Sequence, residues 1–278
     1  MSDFSTLAGN ATKMTARGFG WTHAGRTQPA LADIDLVIEP GERVLLCGDS
    51  GSGKSTLLAA MAGVLGSDEE GTRTGEILLE DSTGMVEEPG HSIPVGLVLQ
   101  DPDSQVISAR VGDDIAFGCE NLAYPREEIW RRVAAAKELV GPFVPLDFPT
   151  EQLSGGQKQR LALAGVIAMG AGVVLLDEPT ANLDPAGAHD VVRAVSRLVE
   201  ETGSTLVVVE HQHAAWKGVL DRAVELDRGR IVADTSFAEV AQRRQVFGLP
   251  QARRLGEAGL AQGDAALWST CLLYTSDA

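Results

Sequence analysis

Nowhere in its 278 residues does this chain stay apolar for the ~18 positions a membrane-spanning helix needs, nor does its N-terminus pair a basic stretch with an apolar one. Any membrane role is therefore expected to be peripheral. Basic residues are scarce too: 23 Lys and Arg stand against 39 Asp and Glu, a net charge of −16. That balance argues against nucleic acid as a partner, because phosphate backbones are bound by basic faces. An acidic surface suits either a basic partner or plain solubility, and composition does not choose between them. The three cysteines, Cys47, Cys119 and Cys271, lie far apart. They form neither a disulfide framework nor a metal-ligand spacing, which fits a reducing cytosol. No internal repeat is visible. What is present, 44% hydrophobic and 22% charged residues, is enough for a substantial core in one lobed domain or two small ones.

Residues 14–47 alternate apolar and polar, with turn signals at Gly25-Arg26 and Glu39-Pro40-Gly41. They are expected to form an antiparallel sheet leading into a buried strand at Arg43 to Cys47. A glycine-rich loop follows, and then Leu57, Leu58, Met61, Val64 and Leu65 recur at helical spacing. Strand, loop and helix together open a parallel α/β domain. Pro94 to Gln100, Val173 to Asp177 and Thr205 to Glu210 are short apolar runs ending in polar residues, as buried parallel strands do. Ligands of open α/β sheets sit at the carboxyl ends of the strands, where Gln100, Asp177, Glu178 and His211 would gather. Between them, residues 102–169 turn helical. Pro125, Glu127 and Glu128 start a helix whose apolar face is Ile129, Val133, Ala136 and Val140. Residues 186–201 form another amphipathic helix, and residues 236–270 are weakly patterned.

The chemistry begins at Gly48-Asp49-Ser50-Gly51-Ser52-Gly53-Lys54-Ser55-Thr56, a phosphate loop in its required strand–loop–helix setting. Glycines let backbone N–H groups turn toward phosphates, and the helix N-terminus adds its positive dipole end. Lys54 is expected on the β- and γ-phosphates of a nucleotide, and Ser55 on Mg²⁺. Asp177 ends a buried strand, positioned for the Mg²⁺ shell. Glu178 is next in line to accept the proton of an attacking water.

With Leu153-Ser154-Gly155-Gly156-Gln157 between them, these motifs resemble the ATP-binding cassette ATPases, in the order Lys54, Gln100, Ser154, Asp177, Glu178, His211. The resemblance implies a P-loop NTPase (RecA-like) core with an antiparallel β subdomain and an inserted helical subdomain, about 102–169, in a cassette spanning 1–235. It also implies that Ser154, Gly155, Gly156 and Gln157 face the γ-phosphate of ATP held by a second cassette. Ser154 doubles as a helix N-cap, a role that needs neither glycine. In the same family pattern Gln100 senses Mg²⁺ and the attacking water, and His211 orients that water, with His213 only flanking it. Asp184 crosses to the partner cassette or simply starts a helix with Pro185. Trp21 either stacks on adenine or belongs to the core.

The stretch Leu99 to Gln105 and then Val111 to Leu122 resembles the energy-coupling factor ATPases, which drive vitamin and metal-ion uptake. Their partner is a transmembrane scaffold whose basic coupling helices dock beside the glutamine loop. Asp113, Asp114 and Glu120 either meet those arginines or form a solvated acidic loop. Val209-Glu210-His211 resembles the tandem members, two cassettes in one polypeptide. The expected location is the cytoplasmic face of the membrane. Cys271 to Ala278 looks like translated sequencing adaptor, the alternative being an ordinary tail. A soluble cassette acting on ribosomes or DNA is the rival reading. Against it stand the acidity and the short interval between Gln100 and Ser154, which leaves no room for a long coiled coil. A third reading is a half-cassette that binds ATP without turnover.

Overall fold

A computed structural model describes residues 7, 11–65, 70–141, 144–211 and 213–241. Met1–Ala238 forms one compact unit and Glu239–Ala278 a second, of which only residues 239–241 are described. The expectations for the weakly patterned stretch beyond 241 and for the tail at 271–278 lie outside the described residues.

The first unit begins with β1 (Lys13–His23), β2 (Leu31–Ile38), β3 (Arg43–Gly48), α1 (Lys54–Met61), β4 (Gly71–Glu80) and β5 (Val86–Glu87). It continues through β6 (Val95–Val98), α2 (Val111–Asn121), α3 (Arg126–Leu139), α4 (Gly155–Met169) and β7 (Val173–Asp177). It closes with α5 (Pro185–Thr202), β8 (Thr205–Val209), β9 (Arg222–Asp227) and β10 (Arg230–Ser236).

Two sheets result. One is antiparallel, in the order β2-β1-β4-β5. The other runs β10-β9-β3-β8-β7-β6 and is parallel except for its β10 edge. Helix α1 lies in the core between them: Leu57, Leu58 and Met61 join Met14, Ile34 and Ile77 of the first sheet and Val44, Leu175 and Val207 of the second in one apolar cluster. That sandwich explains the two sequence patterns. β2 alternates buried and exposed because one face meets water, whereas β8 is buried at every position because the parallel sheet is covered on both faces.

The inserted helical region is confirmed as α2, α3 and α4, with α4 packed on α2, α3, α5 and β6. On α3, Ile129, Val133 and Ala136 are buried as expected. Where α4 crosses β6 there is no room for a side chain: a Cβ on Gly96 would lie 2.1 Å from Val166 Cγ1. Gly96→Ala should therefore lower stability by about 1–3 kcal/mol through overpacking, and adding Val166→Ala should recover part of it. Denaturant midpoints of the single and double variants check this.

Two strands stop short of their expected ends. The run Pro94 to Gln100 pairs only over Val95–Val98, because Leu99 N donates to Gln105 Oε1 (2.8 Å) while Gln105 Nε2 donates to Leu97 O (3.2 Å). A side chain thus replaces the next ladder rung and turns the chain. β8 ends at Val209 rather than Glu210, whose carboxylate turns back onto the following residue (His211 N to Glu210 Oε1, 2.8 Å).

Candidate functional site

The strand order β3-β8-β7-β6 sets the carboxyl ends of four parallel strands side by side. The loop after β3, His211 after β8, Asp177 and Glu178 at the end of β7, and Gln100 beyond β6 are thereby neighbours.

The loop is built for close approach. Gly48 has φ +144°, and a Cβ there would stand 2.2 Å from Leu226 O. Gly51 and Gly53 are left-handed at φ +78° and +106°, a conformation open to glycine. Asp49, Ser50 and Gly51 are exposed, and α1 begins at Lys54 with no side chain capping its first turn. Ser55 and Thr56 occupy that turn, so its N–H groups are left for an external anion. Ser52 Oγ is buried and has no partner among the described residues, a cost of about 1–3 kcal/mol that a phosphate oxygen would relieve. Lys54 is buried, and its ammonium donates to Gly48 O (3.0 Å) and Asp49 O (2.9 Å), held at the mouth of the loop. Burial lowers the Lys54 pKa, and the carboxylates of Glu178 and Asp177 act against that shift.

Asp177 is the counterpart: burial raises its pKa, while a hydrogen bond from Ser55 and the charge of Lys54 pull it down. A carboxylate held against desolvation beside a hydroxyl is a donor pair suited to a hard cation. Because the folded pKa is raised, the folded protein binds more protons than the unfolded chain above the ordinary carboxyl value of 3.8. Stability attached to this group is then lost as pH rises. Asp177→Asn is expected to raise the melting temperature of the nucleotide-free protein at pH 7, with the gain shrinking as pH falls toward that value. Thermal scans across pH check this.

Glu178 is the hub. Its Oε2 accepts from Gln100 Nε2 (3.1 Å), and its Oε1 contacts His211 Nε2 (3.0 Å). Its backbone is left-handed, φ +47°, with the N–H bonded to Val209 O at 2.9 Å. A non-glycine residue pays about 1–3 kcal/mol to sit there, strain that accumulates where geometry matters more than stability. One carboxylate is thus held by side chains from the segments that follow two separate strands.

Ser154 caps α4 in a reciprocal box: Gln157 N donates to Ser154 Oγ (3.4 Å) and Ser154 N donates to Gln157 Oε1 (2.9 Å). The helix starts at Gly155, directly after that cap. Neither glycine answers a local need. A Cβ at Gly155 or Gly156 would meet its nearest neighbours at 3.6 Å, ordinary contact, and both residues are helical, where glycine costs up to about 1 kcal/mol relative to alanine. Asp184 caps α5, accepting from Gly187 N at 2.9 Å, with Pro185 at the first turn. Ahead of it, Asn182 is left-handed at φ +61°. A cleft of about 590 Å³ opens between Gln100, Asp177, Gly155 and Leu183.

A family model described as "ABC transporter" matches residues 31–181, from β2 through the Glu178 loop. The chain belongs to the ABC transporter family. It has the P-loop NTPase fold of that family. It is 38% identical over 85% of its length to a putative ABC transporter ATP-binding protein of Methanosarcina acetivorans, of which the match spans 37%. The chain spans about two-fifths of such relatives' length. It is also 38% identical to the energy-coupling factor transporter ATP-binding protein EcfA1 of Caldanaerobacter subterraneus, over 80% of this chain and 79% of that protein. Among solved structures, cbiO1 of Clostridium perfringens, part of the ABC transporter complex cbiONQ, aligns with TM-score 0.71 and 31% identity, covering 90% of this chain and 99% of that one.

One cassette residue is not where the resemblance implies. Trp21 is 4% exposed, its ring lies over Gly71, and its indole N–H donates to His23 Nδ1 (3.1 Å). It is a core residue with no face open to adenine. Pairing irregularities around Gly18 to Gly20 break the alternation of β1, so Phe19, Gly20 and Trp21 are buried consecutively. His213 is likewise buried, with Nε2 on the Glu210 carbonyl (3.0 Å). Sequence reasoning missed Gln159, fully buried, whose Nε2 donates to Leu99 O (3.2 Å) and ties α4 to the segment bearing Gln100. It also missed the buried pair Thr180–Glu210, whose only sequence signal is an acid directly following the apolar run Leu206 to Val209.

Proposed function

We propose that this cassette hydrolyses MgATP at a site completed by a second cassette, and that its helical subdomain transmits the cycle to the scaffold of an energy-coupling-factor-type importer. The observation that carries the first half is the pair Gly155–Gly156: the fold bears the cost of two helical glycines that nothing among the described residues requires. Bare backbone at a capped helix start lets an anion approach the N-terminal dipole closely. The resemblance implies that this anion is the γ-phosphate on a partner cassette, second copy or fused, with Asp184 beside the same interface.

In the cassette's own half-site, Gly48 to Thr56 wrap the phosphates and Lys54 exchanges its loop carbonyls for phosphate oxygens. Ser55, Asp177 and Gln100 would hold Mg²⁺, which neutralises charge developing on the phosphates. Glu178, aimed by Gln100 and His211, takes the proton of the attacking water.

The transport half rests on α2 and the segment before it. Asp113, Phe117 and Glu120 are exposed along one stripe of α2, a large apolar ring flanked by acids, suited to a basic amphipathic helix. Asp114 is corrected out of that set. Its Oδ2 accepts Ile107 N and Ser108 N (both 2.8 Å), so it fastens the preceding loop instead of facing a partner. Gln159 on Leu99 and Lys158 on Asp103 bind the Ser154 helix to the Gln100 loop, so displacement of one element pulls on the other. No described helix is long and apolar enough to cross a membrane, in keeping with peripheral attachment at the cytoplasmic face. Vitamins or metal ions are the cargo class the resemblance implies, captured by a separate membrane protein.

Two measurements test this. ATP turnover should rise more than linearly with protein concentration if a second copy completes the site. A tagged chain extracted from its own membranes should carry an integral membrane protein with basic cytoplasmic helices. Recovery with ribosomes or DNA instead would sink the transport reading, and absence of turnover in every pairing would leave a nucleotide-binding half-cassette.

A further inference from the structure

We propose that Glu210 is a positioning residue for ATP hydrolysis: its buried carboxylate clamps the backbone of His211 to the segment that follows Glu178. The inference rests on the hydrolytic reading above.

Glu210 is 4% exposed. Its Oε2 accepts the hydroxyl of Thr180 at 2.6 Å, and its Oε1 accepts the backbone N–H of His211 at 2.8 Å. Thr180 is itself buried and stands two residues after Glu178. The same two strand ends are joined on the other side by Glu178 N to Val209 O, 2.9 Å. Between these crosslinks hangs the contact of His211 Nε2 with Glu178 Oε1 at 3.0 Å. The His211 side chain is 44% exposed, so packing does little to hold it, and its direction depends on how its backbone is anchored. Taking a carboxylate out of water is a costly way to make a crosslink when an apolar pair would stabilise more. What two directional bonds from one rigid group add is geometry. Through the bond to the His211 N–H, Glu210 acts by way of His211.

The test is a set of variants in the full chain, assayed as MgATP turnover in its active pairing. Glu210→Ala is expected to lower kcat about 10- to 100-fold, the usual effect of removing the partner that orients a reacting group, with KM for ATP nearly unchanged. Glu210→Gln should stay within about threefold of the parent, since its carbonyl can accept from His211 N and its amide can donate to Thr180. Combining Glu210→Ala with His211→Ala should be no slower than His211→Ala alone, because both remove one function. Independent losses in that double variant, or a Gln variant as slow as Ala, would overturn the proposal. Should Glu210→Ala not fold, Thr180→Val, which removes only the hydroxyl end of the clamp, replaces it in the same comparison.

A second readout does not need turnover. In histidine-labelled protein, the imidazole signal of His211 should move on Glu178→Gln and should no longer respond in the Glu210→Gln-controlled Glu210→Ala or Thr180→Val background. A response that persists there overturns the clamp even if hydrolysis is never observed, whereas absent turnover with a lost response counts against the hydrolytic reading alone.

Discussion

Glu178→Gln is expected to keep ATP and lose turnover by about 10²- to 10⁴-fold, the range for removal of a positioned general base. The substitution preserves the side chain's size and its left-handed backbone requirement. Gln100 and His211 still find a hydrogen-bonding group at their 3.1 and 3.0 Å contacts, so what disappears is the basicity of the oxygen facing the water. The loop that binds phosphate is untouched, and the nucleotide dissociation constant should stay near that of the parent. With ATP bound but not cleaved, the closed pair of cassettes should accumulate, visible as a nucleotide-dependent dimer by size-exclusion chromatography. Unchanged single-turnover hydrolysis would remove Glu178 from the role of base.

Gly156→Ala should separate stability from function in the opposite direction. A methyl at this position meets Gly187 Cα at 3.6 Å, so the fold accepts it, and the helix gains up to about 1 kcal/mol from replacing glycine. The melting temperature is expected to hold or rise. Turnover should fall on the order of 10²-fold, because the methyl stands where the partner's γ-phosphate must approach the α4 N-terminus and even a 1 Å displacement of reacting groups has that effect. ATP binding, which depends on Lys54 in the same chain, should persist. The decisive arm is complementation. Gly156→Ala has an intact phosphate loop and Lys54→Ala an intact Ser154 turn, so mixing them should restore activity that neither shows alone. Failure of every mixture, with each parent pair active, would mean the two motifs do not meet across an interface.

The two tests fall on opposite ends of what could be read without tertiary contacts. Lys54 and its glycines were legible because phosphate binding is local: strand, tight loop and helix N-terminus lie within 43–61, and each residue's role follows from its neighbours in the chain. Asp177, Glu178 and His211 were legible one step further out, since an apolar run ending in polar residues names the carboxyl end of a buried strand. Trp21 was not, because the irregular pairing of β1 shifts which residues face inward, and a register shift leaves no mark on composition. Nor was the fate of Asp114, one of two adjacent acids, of which burial and two backbone donors took one and left the other exposed.

By itself the sequence pointed to the kind of site proposed for this protein: a phosphate loop, a carboxylate placed for Mg²⁺, a second placed as a base, and a glycine turn resembling the surface that one cassette offers another. All of these are properties of short segments whose backbone conformation is set by nearby residues. Only the tertiary structure decided how the pieces bear on one another. It put Gln100 and His211 on the two oxygens of Glu178, locked His211 to Thr180 through the carboxylate of Glu210, and tied the Ser154 helix to the Gln100 loop through Gln159. Apart from the His211–Glu210 bond, those contacts join residues 30 or more positions apart along the chain. They depend on strand order and on which side chains are buried, which short-range pattern does not encode.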